Sequence, residues 1–215
     1  MRDHKVNHPP VNLIRGKFYT GKGTFIEPGF KLFDTFFLKV LEAIRGMQIT
    51  QQEIPIEMHT GLKSLQKELR AGHKLGGRAI FVGNGGSAAI ASHNAIDWTK
   101  NGGVRSIAFN DAAALTCWGN DVGYENVFAK QLEHHATKND TVIIISSSGK
   151  SPNVLLAADS ARVLRCRMVV TLSGMNPNNV LRQKGDLNIY VPSTDYGIVE
   201  LAHMSILHSI VSVSP

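Results

Sequence analysis

The run Thr141-Val142-Ile143-Ile144-Ile145 constrains this chain more than any other feature. Five β-branched residues in a row, with no polar alternation, make a strand with neither face left for water. Such a strand belongs in a parallel sheet covered by helices on both sides. Arg78–Gly83, Val104–Phe109, Arg167–Leu172 and Leu187–Val191 are short apolar runs of the same kind. Between them Ser87–Lys100, Tyr124–Ala136 and Asn153–Arg165 read as helices, Asn110–Thr116 as the opening of a short one, and Gly197–Val213 as a closing helix. Upstream, Phe33, Phe36, Phe37, Val40, Leu41 and Ile44 recur at three and four, as do Ile56, Leu62, Leu65 and Leu69. The expected architecture is a parallel αβα sandwich of about five strands with extra N-terminal helices, formed by residues 31–215 as one domain. Residues 1–30 read as an irregular basic extension.

Composition closes off several function classes. At 43% hydrophobic and 19% charged residues the chain is not disordered. No run approaches the ~18 apolar residues of a membrane helix, so no membrane partner is expected. The opening MRDHKVNHPP lacks the apolar centre of a secretory signal. Cys117 and Cys166 are too few and too scattered for a disulfide framework or a cysteine metal cluster, so a reducing, cytoplasmic location is expected. The net charge of +6 is uneven. Residues 1–23 carry Arg2, Lys5, Arg15, Lys17 and Lys22 against the single acid Asp3. The basic pI therefore reflects a short arm rather than a nucleic-acid-binding face.

Two strand-to-helix turns carry anion-binding chemistry: Gly83-Asn84-Gly85-Gly86-Ser87 and Ser146-Ser147-Ser148-Gly149-Lys150-Ser151. Glycines let backbone N–H groups approach an anion, and a helix N-terminus favours negative charge. A nucleotide P-loop is excluded because Ile144 stands where its upstream glycine is required. A dinucleotide site fits poorly, since Asp111 lies 28 residues beyond Gly83 in a loop rather than about 20 residues on at a strand end. Helix capping accounts for one serine, not for four in six residues. A sugar phosphate held by both turns, with no nucleotide cofactor, is the reading that uses all of them.

With these turns, Asn120-Asp121 followed by Gly123-Tyr124-Glu125 and Phe128, together with Val191-Pro192-Ser193, make the chain resemble the phosphoheptose isomerase branch of the sugar isomerase (SIS) domain family from about Leu32 onward. The resemblance implies a homotetramer with active sites between subunits. The implied reaction converts sedoheptulose 7-phosphate to D-glycero-D-manno-heptose 7-phosphate, toward lipopolysaccharide or capsule. It places substrate on Asn84, Gly85, Ser87, Asp121, Ser146, Ser147, Ser148 and Ser151, and zinc is bound in several members. Six positions depart from the family pattern, Ile198 and Val199 among them, standing where Arg and Ile are usual. Asp97 stands where the family carries a catalytic Glu, Glu200 where it carries Gln, Ser147 where Thr is usual, and Lys150 where Asn is common.

His93 and Asp97 are one helical turn apart and share a face. Exposure with pairing to Lys100 is the bland alternative for Asp97. On the closing helix, His208 lies about 80° from Glu200 and His203 about −60°, so the two histidines diverge by about 140°. Position alone pairs Glu200 with either, slightly favouring His203; the resemblance favours His208. Asp97, His208 and Glu200 are thus the expected catalytic residues. His93, Asp97, Glu200 and His208 are the expected ligands of a divalent metal, zinc by donor type. The competing readings are a metal-free site of hydrogen-bonded acids, an isomerase of another sugar phosphate, and a non-catalytic SIS binding module like the DnaA initiator-associating protein.

Overall fold

The computed structural model describes residues 12–14, 17–19 and 31–212. The chain divides into two compact units, 1–38 and 39–215. In the first, strands β1 (Asn12–Ile14) and β2 (Lys17–Tyr19) pair antiparallel, Leu13 opposite Phe18. The remainder of the expected irregular extension 1–30 lies outside the described residues, as does Val213 at the end of the expected closing helix. Helix α1 (Lys31–Arg45) crosses from one unit to the other.

The second unit is built on a seven-stranded sheet. It contains β3 (Gln48–Gln51), β4 (Ile54–Ile56), β5 (Ala79–Gly83), β6 (Ser106–Ala108), β7 (Thr141–Ser146), β8 (Met168–Ser173) and β9 (Leu187–Tyr190). The spatial order is β4-β3-β9-β8-β7-β5-β6. The five strands expected from the sequence form the parallel part. The other two are an antiparallel hairpin added to the edge through β9, with Ile49 opposite Ile189.

Helices α2 (Met58–Lys74), α3 (Gly86–Lys100), α4 (Ala112–Val122), α5 (Val127–His135), α6 (Pro152–Val163) and α7 (Tyr196–Ser212) connect or close the strands. Every residue of β7 is buried, as a two-sided cover demands. Side chains alternate along a strand. Ile80, Val82, Val142, Ile144 and Val169 pack with Phe128 and Leu132 of α5 and with Val154, Ala157 and Ala161 of α6. Phe81, Ile143, Ile145 and Leu172 project the other way and are also fully buried. Each such side chain is worth roughly 1.5–3 kcal/mol of burial.

At the N-terminal ends of the strands, the buried carboxylate of Asp140 accepts from the backbone N–H of Arg78 at 2.6 Å and of Thr137 at 2.7 Å. This pins β5 to β7 at the end away from the ligand turns. The parallel register brings the C-terminal ends of β5 and β7 level, Gly83 beside Ile145. The turns that follow them therefore meet at one edge of the sheet.

Candidate active site

The two ligand turns line one cavity, bounded by Asn84, Gly85, Gly86, Ser87, Ser146, Ser147, Ser148 and Ser151, with Tyr196 and Glu200 from α7. Local backbone chemistry shapes it. Gly85 precedes α3 at φ 54° and Gly149 follows the serines at φ 62°, both in the left-handed region that suits glycine. At Gly149 a side chain would also collide with Asn179. Neither helix start receives a side-chain cap: Gly85 has nothing to offer α3, and Ser151, at the N-cap of α6, makes no capping bond. At α3 the N–H groups of Ser87 and Ala88 already donate to the Asn84 carbonyl, at 2.9 and 3.3 Å, while α6 opens on Pro152, which has no N–H, and its Val154 N–H donates to the Ser151 carbonyl at 3.2 Å. The hydroxyl of Ser147 is buried without a partner, while Ser146 Oγ accepts from the Gly149 N–H at 3.2 Å.

The turns are tied together. Asn84 Nδ2 donates to Asn153 Oδ1 at 2.8 Å, and Asn153 Nδ2 donates back to Asn84 Oδ1 at 2.9 Å. Tyr124 adds its hydroxyl to Asn84 Oδ1 at 3.3 Å. Asn153 and Tyr196 were not singled out by the sequence reading. Asn153 is one residue into α6 and 2% exposed; the signal available in the sequence was an amide two residues past a serine-rich turn.

A second group of polar side chains sits further along α3 and α7. Asp97 Oδ2 lies 2.9 Å from His208 Nδ1 and 3.3 Å from His93 Nε2. The ligating atoms of the three residues all fall within 4.8 Å of one another, and the two imidazoles meet edge to face at 4.9 Å. The other carboxylate oxygen, Oδ1, receives only the Asn101 amide, at 3.4 Å. The i, i+4 spacing on α3 supplies two corners and α7 the third. Two imidazole nitrogens and one carboxylate oxygen are a donor set suited to Zn²⁺.

The levels of contact show that α3 and α7 run side by side in the same direction. Gly86 lies against Glu200, Asn94 meets Met204 at 3.6 Å, and Asp97 meets His208. Glu200 and His208 are eight residues apart, about 12 Å of helix rise. The structure therefore sets Glu200 with the serine cavity and outside the Asp97 group. A Cβ added to Gly86 would stand 2.5 Å from the Glu200 carboxylate.

Asp121 does not line the cavity. It is exposed on α4, where its carboxylate accepts from the Asn120 amide at 2.9 Å. His203 points the opposite way from His208, as the angle between them requires, and is fully buried. Its Nε2 faces the Ser173 carbonyl at 3.2 Å, so that nitrogen carries the proton and donates; Nδ1 is left bare without a partner. Burial pushes its pKa down to about 4, opposed only by the bond to Ser173. Both cysteines are free, and burial raises the Cys166 thiol to about 11, leaving it unreactive.

Comparison with known proteins follows the same outline. Residues 47–174 match the model of the SIS domain. A phosphoheptose isomerase of Aliarcobacter butzleri is 37% identical over 183 residues, covering 82% of this chain and 92% of that protein. One from Geobacter sp. (strain M21) is 34% identical over 170 residues, covering 76% and 85%. The structure of a phosphoheptose isomerase from Neisseria gonorrhoeae superposes with a TM-score of 0.71 at 26% identity, covering 85% of this chain and 97% of that one.

Proposed function

The chain belongs to the SIS domain family, and from that premise we propose that it is an aldose–ketose isomerase converting sedoheptulose 7-phosphate to D-glycero-D-manno-heptose 7-phosphate. The observation that carries the reading is the pair of glycine- and serine-rich turns closed into one cavity, with a carboxylate–histidine group further along α3 and α7. The relatives named phosphoheptose isomerase support the substrate class.

The reaction moves a proton between adjacent carbons through an enediol, so it needs an anchor, a base at carbon and an acid at oxygen. The serine hydroxyls and the glycine-rich turn before α3 anchor the phosphate. Asp97 takes the proton from C1 of the ketose and returns it to C2. Its Oδ1 is the less engaged oxygen, holding only the long Asn101 contact at 3.4 Å while Oδ2 meets both histidines. His208, held by Asp97, carries the proton to and from the sugar oxygens. Glu200, the third expected catalytic group, sits at the cavity end and bonds the sugar chain near the phosphate.

His93, Asp97 and His208 would hold a divalent metal, zinc by donor type. Such an ion polarises a carbonyl as a Lewis acid when bound. A carboxylate oxygen committed to a cation is a weaker base, so the metal and the base role compete at Asp97. Elemental analysis of protein purified without a nickel column tests the site. About one metal per chain, lost in His93→Ala/His208→Ala, is expected; under about 0.2 per chain, unchanged in that variant, would sink it.

We place the enzyme in the cytoplasm, in the supply of heptose for lipopolysaccharide or capsule, and as a homotetramer. Among the described residues no helix is long and apolar enough to cross a membrane. Phe33, Phe37 and Leu41 form an exposed apolar row on α1, and α4 has no buried residue within the protomer. Both features suit burial against other subunits.

The deciding experiment incubates the purified protein with sedoheptulose 7-phosphate, with and without chelator, and follows the sugar by NMR. Appearance of the aldoheptose phosphate is the expected result. Binding without conversion would favour the non-catalytic module. In the same assay Ser148→Ala/Ser151→Ala should weaken sugar-phosphate binding by about 1–3 kcal/mol for each charged hydrogen bond lost; unchanged affinity would rule the cavity out as the phosphate site.

A further inference from the structure

The end of the sheet away from the ligand turns carries a row of basic side chains that the reaction does not use. In register, Arg167, Asp140, Arg78 and Arg105 stand immediately before β8, β7, β5 and β6. Neighbouring strands lie about 4.8 Å apart, so the row is about 14 Å long. Arg105 bonds the Gly76 carbonyl and Arg78 the His135 carbonyl, which holds both guanidinium groups at the surface. A guanidinium has five donors, so most of each fork stays open. Lys74, Lys138 and Arg165, on the segments that lead into these strands, are exposed and make no ion pair among the described residues. The segments pack together: Asn139 Nδ2 donates to the Leu75 carbonyl at 2.8 Å, and a side chain at Gly72 would touch Arg167.

Most of the net charge of the chain sits in residues 1–23, so this cluster is a matter of placement. Helix ends explain part of it. Helices α2, α3, α5 and α6 finish here, and each C-terminus presents about −0.5 charge, roughly −2 in all. The acids in the row are Asp140, buried and 3.6 Å from Arg78, and Glu68, 2.8 Å from Arg167. Around them the charges cancel in pairs: Lys130 with Glu133, Arg162 with Asp186, Lys184 with Asp159. Six cations against two acids and four partial charges leave a surplus that nothing in the protomer neutralises.

The form of the face selects its occupant. The strand starts are level, so the cations share one flat rim rather than a groove for a peptide. Leu75, beside Lys74, is 59% exposed, and Val163, two residues before Arg165, is 81% exposed. Apolar tips set among cations suit the headgroup region of an anionic bilayer, where the cations meet phosphates and the tips reach the acyl boundary. None of these residues belongs to α1 or α4, the elements offered to other subunits.

We propose that this end of the sheet is a peripheral membrane-docking face, held to anionic phospholipid by Lys74, Arg78, Arg105, Lys138, Arg165 and Arg167, with the ligand cavity at the opposite end.

The test sediments the full chain with vesicles of phosphatidylcholine, and with vesicles rich in phosphatidylglycerol, at about 0.05 M and about 0.5 M salt. Binding is expected only to the anionic vesicles, and only at the lower salt. A Lys or Arg near such a surface is worth about fivefold in affinity, so Lys74→Gln/Lys138→Gln should weaken binding by about 25-fold. Both side chains are exposed and unbonded, so the thermal melt of this variant should match the parent. Lys39→Gln/Lys150→Gln removes as many charges from the ligand end, beyond a Debye length from the lipid, and should bind as the parent does. No binding to anionic vesicles at low salt would overturn the proposal. Undiminished binding by Lys74→Gln/Lys138→Gln would do so too, by placing the contact elsewhere, as on the basic residues 1–23. Equal weakening of the two double variants would reduce the effect to net charge and overturn it as well. Tighter binding to polyglutamate or duplex DNA than to vesicles, lost in Lys74→Gln/Lys138→Gln, would assign the face to a soluble polyanion and overturn the lipid docking.

Discussion

Replacing Asp97 by asparagine is expected to lower turnover by about 10²- to 10⁴-fold, the usual contribution of a positioned general base. The fold should survive, because the substitution is nearly isosteric and the partners of the part-buried side chain are two part-exposed histidines and Asn101. Asparagine is nearly isosteric, but its amide cannot take a proton from carbon. Its oxygen also binds a cation more weakly than a carboxylate does. Steady-state kinetics with sedoheptulose 7-phosphate, alongside a thermal melt, checks both halves. A variant that isomerises at the parental rate would remove Asp97 from the chemistry.

The second large effect concerns stability and acid. The folded protein holds His203 neutral, with its pKa lowered to about 4, whereas the unfolded chain titrates near 6.5. The unfolded state therefore takes up a proton first as pH falls. The contribution of His203 is intact above about pH 6.5, declines below it and is fully lost near pH 4. A shift of that size corresponds to about 3 kcal/mol. His203→Gln can still donate to the Ser173 carbonyl but does not titrate. Urea unfolding at pH 7.5 and pH 5 should thus show a smaller acid loss in His203→Gln than in the parent. Equal losses in the two proteins would refute the burial argument for this residue.

Most of the parallel sheet was legible because its strands are continuous apolar runs: β7 and β8 are buried at every residue, and nothing else a chain can do with TVIII hides it as well. The β3–β4 hairpin was not. Gln-Ile-Thr-Gln buries only Ile49, and its turn runs through Gln52 and Glu53 at φ 48° and 68°. Those are left-handed conformations without the glycine or asparagine that usually announces them. The ligand turns could be read because glycine and serine at a strand end have few structural uses. Which group Glu200 joins could not be read from helical angles, which say nothing about what lies opposite. That depends on α3 and α7 running in the same direction, a tertiary fact with no local signal. Likewise Asp121 looked polar and well placed in sequence, but α4 presents it to solvent.

The reciprocal amide pair of Asn84 and Asn153 has a thermodynamic consequence. A loop that must be ordered by its ligand charges that ordering against affinity, at roughly 1–2 kcal/mol of backbone entropy per residue. Here the two ligand turns are already fastened to each other across the sheet edge by two hydrogen bonds, on a buried asparagine. The entropy of arranging the donors was lost once, during folding. A ligand entering the cavity gives up its own freedom and little of the protein's, so its binding heat reports the new hydrogen bonds rather than a rearrangement of the turns.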